Sequence, residues 1–141
     1  SFRDVSNYHG RVIPFYKRAQ LFIVDLYHFF AGKNLGSFKN IETITALSDY
    51  KLPQTLRSLG VLVYRKDLAE KVDNKVQILH DAEEEIEIRA ATVWSIELLR
   101  RELASKFFQI TASAINDSLW LASQNPTVDV KPYHRTLNIY Y

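Results

Sequence analysis

Four prolines and four glycines in 141 residues leave long stretches of this chain with nothing to break a helix. The longest helical stretch runs from Asp81 to Phe107. There Ile86, Ile88, Ala90, Ala91, Val93, Trp94, Ile96, Leu98, Leu99 and Leu103 spread over more than one helical face. A helix apolar on most of its sides belongs inside a core, so this segment predicts a long, buried, central helix and, with it, an all-α fold. Pro14 suits the first turn of a helix over Phe15 to Phe30, with Phe15, Ala19, Phe22, Leu26 and Phe29 on one stripe and Gly32 as its stop. Ile41 to Leu47 is expected to be a short helix. Pro53 starts one or two turns over Gln54 to Leu59 that Gly60 closes, so the two pieces outline a tight helical hairpin. Val61 to Tyr64 reads as extended, Asp67 to Val72 as a short helix and Ala112 to Ser123 as the last helix before Pro126. Tyr133 to Tyr141 reads as an extended tail. Residues 1–141 are read together as a single helical domain.

Composition narrows the function. The chain is 47% hydrophobic and 13% aromatic, which is the balance of a protein with a packed core. Charged residues make up 24% and the net charge is only +2, without the basic excess of a dedicated nucleic-acid binder. There is no cysteine, so disulfides and cysteine-based zinc sites are excluded. No apolar run approaches the roughly 18 residues of a transmembrane helix, and Ser1-Phe2-Arg3-Asp4-Val5 lacks a signal-peptide core. A cytoplasmic location is expected. The absence of any methionine, including at the first position, reads as a piece of a longer protein.

The chemistry-bearing residues are few. Ser48-Asp49-Tyr50-Lys51-Leu52-Pro53-Gln54 places a carboxylate at a helix boundary. Such a group can act as nucleophile, base or cation stabiliser, although an aspartate ahead of a Pro-started turn is by spacing alone more readily a helix cap. In the acidic run Glu83, Glu84, Glu85 and Glu87, Glu85 lies four residues before Arg89 and can pair with it. Arg89 and Glu97 fall in the apolar part of the long helix, where charges must be paired, so both are expected in structural ion pairs. Asp117 sits in an apolar helix near Trp120, facing either ligand or solvent. His134 is an acid–base candidate or a structural tail residue, and His9, His28 and His80 form no readable metal motif with it.

An ordered set of short matches carries a resemblance. Phe15-Tyr16-Lys17-Arg18-Ala19-Gln20, Phe38-Lys39-Asn40-Ile41, Ser48 to Gln54, Leu59-Gly60, Glu85-Ile86-Glu87-Ile88-Arg89, Trp94, Glu97-Leu98, Leu119-Trp120, His134-Arg135 and Tyr140-Tyr141 resemble, in order and spacing, the queuosine salvage family. The resemblance implies a helical domain like the helix-hairpin-helix DNA glycosylases, forming the C-terminal part of a longer protein and partnered by its N-terminal part. It implies an N-glycosidase that hydrolyses queuosine 5′-monophosphate to queuine and ribose 5-phosphate. No metal, no other cofactor and no direct nucleic-acid contact are expected. It makes Asp49 the catalytic residue and Leu47, where the family usually has Phe, a substrate contact. Aligned on Leu119-Trp120, Asn116, Asp117 and Leu121 stand where the family carries an acidic residue, an aromatic residue and a second acidic residue in the substrate site. Either Lys17 or Arg18 could meet a 5′-phosphate, or both could be surface charges. The competing readings are a non-catalytic helix-hairpin-helix binding module and a catalytically lapsed family member.

Overall fold

The computed structural model describes residues 2–141. It begins with an element outside the all-α expectation. Val5–Tyr8 (β1) and Arg11–Pro14 (β2) pair antiparallel, with Val5 opposite Pro14 and Tyr8 opposite Arg11. His9 and Gly10 make the turn with φ of 49° and 77°, and the Gly10 N–H donates to Asn7 Oδ1 at 3.0 Å. Two successive left-handed residues form the turn whose twist suits a hairpin, and glycine takes the second position without a Cβ penalty.

The α-helices make up the rest of the regular framework among the described residues. They are Lys17–Phe29 (α1), Lys51–Ser58 (α2), Lys66–Asp73 (α3), Glu83–Leu103 (α4) and Ala112–Ala122 (α5). The expected helix over Ile41 to Leu47 shrinks to a 3₁₀ turn, Ile41–Thr43. Ile41, Thr43, Ile44 and Thr45 are β-branched and stiff in a helix. Past the turn, side chains take the backbone donors: Thr45 N–H donates to Gln20 Oε1 at 2.9 Å and Leu47 N–H to Asn116 Oδ1 at 3.0 Å. Helix α2 starts at Lys51, before Pro53, which sits in the first turn where its missing N–H leaves no intrahelical bond unmade. Gly60, at φ 76°, closes α2 as expected. Val61 to Tyr64 forms no strand, and the tail pairs only through a parallel bridge between Gln77 and Arg135.

Leu52 and Leu56 of α2 pack with Ile96 of α4, Ala112 and Ile115 of α5, and Ala46 and Leu62. On the other side Leu68 and Val72 of α3 meet Ile78 and Ile88. Helix α4 is central, but it is not buried all round. Ile86, Arg89, Thr92 and Ile96 face inward, whereas Trp94 is 54% exposed, with the Arg101 guanidinium 5.1 Å from its ring centroid. Helix α1 departs further from expectation. Phe22 and Phe29 of its apolar stripe are exposed, and Val24 is its buried residue.

The expected ion pairs divide. Glu97 is partly exposed; Arg100 and Arg101, donating to it at 2.7–2.8 Å, hold its carboxyl down to about 2. Arg89 is fully buried and anchors a network. Its Nη1 donates to Asp4 Oδ1 at 2.9 Å, its Nη2 to Asp4 Oδ2, and its Nε to the Ser48 carbonyl at 3.3 Å. Glu85 Oε1 lies 3.6 Å from Nη1, and the Phe15 ring covers the guanidinium at 3.9 Å. Tyr141 donates its hydroxyl to Glu85 Oε1 at 2.7 Å, so its oxygen is left to accept from His134 Nε2 at 3.3 Å.

That arrangement makes His134 a structural, pH-sensitive residue. It is 1% exposed, and burial, helped by Arg89 and opposed by Asp49, pushes its pKa from 6.5 down to about 4. Below pH 6.5 the unfolded chain therefore takes up a proton that the folded chain refuses until about pH 4. Stability is complete above that window and falls by about 3 kcal/mol as pH drops through it. Urea denaturation of wild type and His134→Gln at pH 7 and pH 4.5 checks this: the variant should lose less stability between the two values. Parallel losses would contradict the assignment.

Candidate active site

The irregular segment 44–50 delivers Asp49 to the start of α2. Ala46, Leu47 and Ser48 are buried ahead of it and fix its path. Asp49 Oδ1 accepts the Lys51 N–H at 2.7 Å and the Leu52 N–H at 3.3 Å. The cap role suggested by spacing is therefore real, but it occupies one oxygen. The other, Oδ2, lies 3.4 Å from Lys17 Nζ, and both side chains are more than four-fifths buried. Lys17 begins α1, and its backbone N–H donates to Asp4 Oδ2 at 3.1 Å. A single buried guanidinium, Arg89, thus holds both sides of the ion pair, through the Ser48 carbonyl on one side and through Asp4 on the other. Arg18 is directed elsewhere, donating to the Ile139 carbonyl at 2.8 Å.

Asp49 opens into a cleft of about 440 Å³ between α1, segment 44–50 and α5. Leu47, Asp49, Asn116, Asp117 and Leu121 all line it, so the five residues expected at the site come together. They differ in availability. Asn116 is buried, and its amide is engaged: Oδ1 accepts from Leu47 N–H and Nδ2 donates to Asp117 Oδ1 at 3.2 Å. It braces the Asp49 segment against α5. Asp117 Oδ2 stands 3.9 Å from His28 Nε2 at the exposed rim. Leu47 is buried, while Leu121 and Trp120 present exposed apolar surface.

The sequence reading gave no role to Asp25 or His28, which also line the cleft. The available signal was the spacing of Lys17, Leu21, Asp25 and His28, which puts all four on one face of α1. With Asp25 counted, three carboxylates (Asp25, Asp49 and Asp117) line the cleft with a single lysine, Lys17. The field of the cleft favours a cationic ligand.

Outside the cleft, ligand atoms of His80, Asp81 and Glu85 come within 4.8 Å of one another, a grouping the histidine spacing did not reveal. Glu85 Oε1 is already held by Tyr141 and Arg89, and His80 Nδ1 lies 3.9 Å from Oε2. That separation is too long for a hydrogen bond, and His80 Nδ1 and Glu85 Oε2 are both buried without a hydrogen-bond partner.

Among the described residues no helix is long and apolar enough to cross a membrane. A sequence model described as queuosine salvage protein matches residues 1–141. A curated relative from Sphaerobacter thermophilus, a queuosine 5′-phosphate N-glycosylase/hydrolase, is 44% identical over 141 residues and covers 100% of this chain. Proteins of the same name from Dictyostelium discoideum and Bos taurus are each 39% identical, over 140 and 151 residues, covering 99% and 100% of the chain. The chain spans 44% of the length of each of these relatives. With a family match from end to end and relatives well above 30% identity, the chain belongs to the queuosine salvage protein family.

Proposed function

We propose that the whole protein hydrolyses the N-glycosidic bond of queuosine 5′-phosphate, releasing queuine and ribose 5-phosphate, with Asp49 at the reaction centre. The observation that carries this reading is the division of labour within one carboxylate that lines the cleft: helix amides fix Oδ1, and Oδ2 is left beside Lys17, another lining residue. As the ribosyl C–N bond breaks, its electron pair leaves with the base and positive charge builds at the anomeric carbon. A carboxylate oxygen held in place meets that charge without reorganising, either as a stabiliser or by attack to a covalent intermediate. Water then supplies hydroxide to the anomeric carbon and a proton to the departing base.

The acidic cleft suits the base. Queuine carries a secondary amine that is cationic near neutral pH, and Asp25 and Asp117 are placed to attract it. The fold is also read as a relative of the helix-hairpin-helix DNA glycosylases, on the ground that Asp49 precedes a short helix closed by Gly60. The reading carries a cytoplasmic location with it.

Incubation of the full-length protein with queuosine 5′-phosphate, followed by chromatography, is expected to yield free queuine; an intact nucleotide would contradict the proposal. For Asp117→Asn, KM is expected to rise about tenfold with little change in kcat, the signature of lost ground-state binding. Unchanged steady-state kinetics would remove Asp117 from the base seat.

A further inference from the structure

At the start of α4 two buried polar atoms face each other without partners. His80 Nδ1 and Glu85 Oε2 are 3.9 Å apart, and neither has a hydrogen-bond partner among the described residues. Glu85 is fully buried. Its other oxygen, Oε1, accepts the Tyr141 hydroxyl and sits 3.6 Å from Arg89 Nη1, so Oε2 is the atom left over. The His80 ring lies 5.4 Å from that of Tyr140, centroid to centroid. Asp81 brings Oδ1 to 3.7 Å from the other ring nitrogen, Nε2. The charges do not balance either. Asp4 and Glu85 are fully buried carboxylates, and Arg89 is the single buried cation they share. One negative charge is left over in a place where an unmatched charge is costly.

A water between His80 and Glu85 could satisfy both lone pairs but would leave the charge unmatched, whereas a cation does both. The gap suits one. An ion at ~2.1 Å from a histidine nitrogen and from a carboxylate oxygen spans up to ~4.2 Å, and the observed 3.9 Å falls inside that reach. Ligand atoms of His80, Asp81 and Glu85 all lie within 4.8 Å of one another, so a third ligand is at hand. An imidazole nitrogen with two carboxylates favours zinc-like ions over magnesium or calcium, which prefer oxygen alone. The His80 and Asp81 side chains are partly exposed, which gives an ion its way in from solvent. We propose that His80, Asp81 and Glu85 form a Zn²⁺-type site that ties the turn before α4 to the first turn of that helix and, through the hydroxyl on Glu85, to Tyr141. The site is structural: none of its three ligands lines the cleft, and the proposal does not rest on the glycosidase reading.

Calorimetric titration of Zn²⁺ into tag-free, chelator-washed full-length protein near neutral pH tests it without requiring turnover. The wild type is expected to bind, and its melting temperature to rise with added Zn²⁺, as for any ligand held only by the folded state. His80→Gln removes the nitrogen ligand without touching Arg89 or Asp4. It is expected to weaken binding by at least about a hundredfold, the upper end of the ~10–100-fold range for an outer-shell partner. Asp81→Asn, on the exposed side, should weaken it by about tenfold or more. Melting curves without metal report that each variant is folded. Two results would overturn the proposal. No Zn²⁺ binding by the wild type would leave a proton or a water, not a metal, between His80 and Glu85. Wild-type affinity in either folded variant would put the ion elsewhere in the protein.

Discussion

Asp49→Asn is expected to leave the protein folded and to slow queuine release by roughly 10²–10³-fold or more, the usual scale for removing one group that meets transition-state charge. The two consequences separate because the two oxygens do different work. An asparagine carbonyl can still accept from the Lys51 and Leu52 amides, and asparagine is as good a helix cap as aspartate. What disappears is the negative charge shared with Oδ2, the oxygen beside Lys17, in a residue that lines the cleft. The melting temperature should therefore stay close to wild type while kcat collapses. A parallel loss of both would mean that the residue serves only the fold.

Arg89→Met carries the largest expected loss of stability. The arginine, Asp4 and Glu85 are each fully buried. Removing the cation leaves two carboxylates without their counter-charge in a site that water does not reach, at about 3–5 kcal/mol. The change also strips the Ser48 carbonyl and the Phe15 ring of their shared partner. Urea denaturation should show the loss, and Asp4→Asn in the same chain should restore part of it, because one of the orphaned charges is then gone. Lysine is a poor replacement: a point charge cannot reproduce the bidentate grip on Asp4 together with the bond to Ser48. A loss below about 1 kcal/mol for Arg89→Met would show that solvent reaches this network after all.

The same network shows where sequence reading stopped. The Glu85–Arg89 pair follows from four-residue spacing on a helix and was legible. Asp4, the stronger partner, lies 85 residues away in sequence, and no local pattern announces such a pairing. In α1 periodicity identified which side chains share a face, but not which face the fold would cover. The aromatic stripe containing Phe22 and Phe29 stayed outside, and the polar Lys17–Asp25–His28 face lined the cleft. Tyr8-His9-Gly10-Arg11 held a hairpin signal that a helical composition masked. At the site, spacing suggested the cap made by Asp49 Oδ1, whereas the pairing of Oδ2 with Lys17 needed the packing of α1 against segment 44–50. Gathering Leu47, Asn116, Asp117 and Leu121 around that carboxylate depended on the ordered family resemblance, since their separation in the chain is uninformative.

The most direct test is the single-turnover rate of queuine release from queuosine 5′-phosphate, with ribose 5-phosphate quantified alongside, for the full-length wild type and for Asp49→Asn. The predicted result is one equivalent of each product from the wild type and a rate lower by at least about 10²-fold in a variant with an unchanged melting curve. Release by Asp49→Asn at the wild-type rate, or no release by either protein, would contradict the central claim.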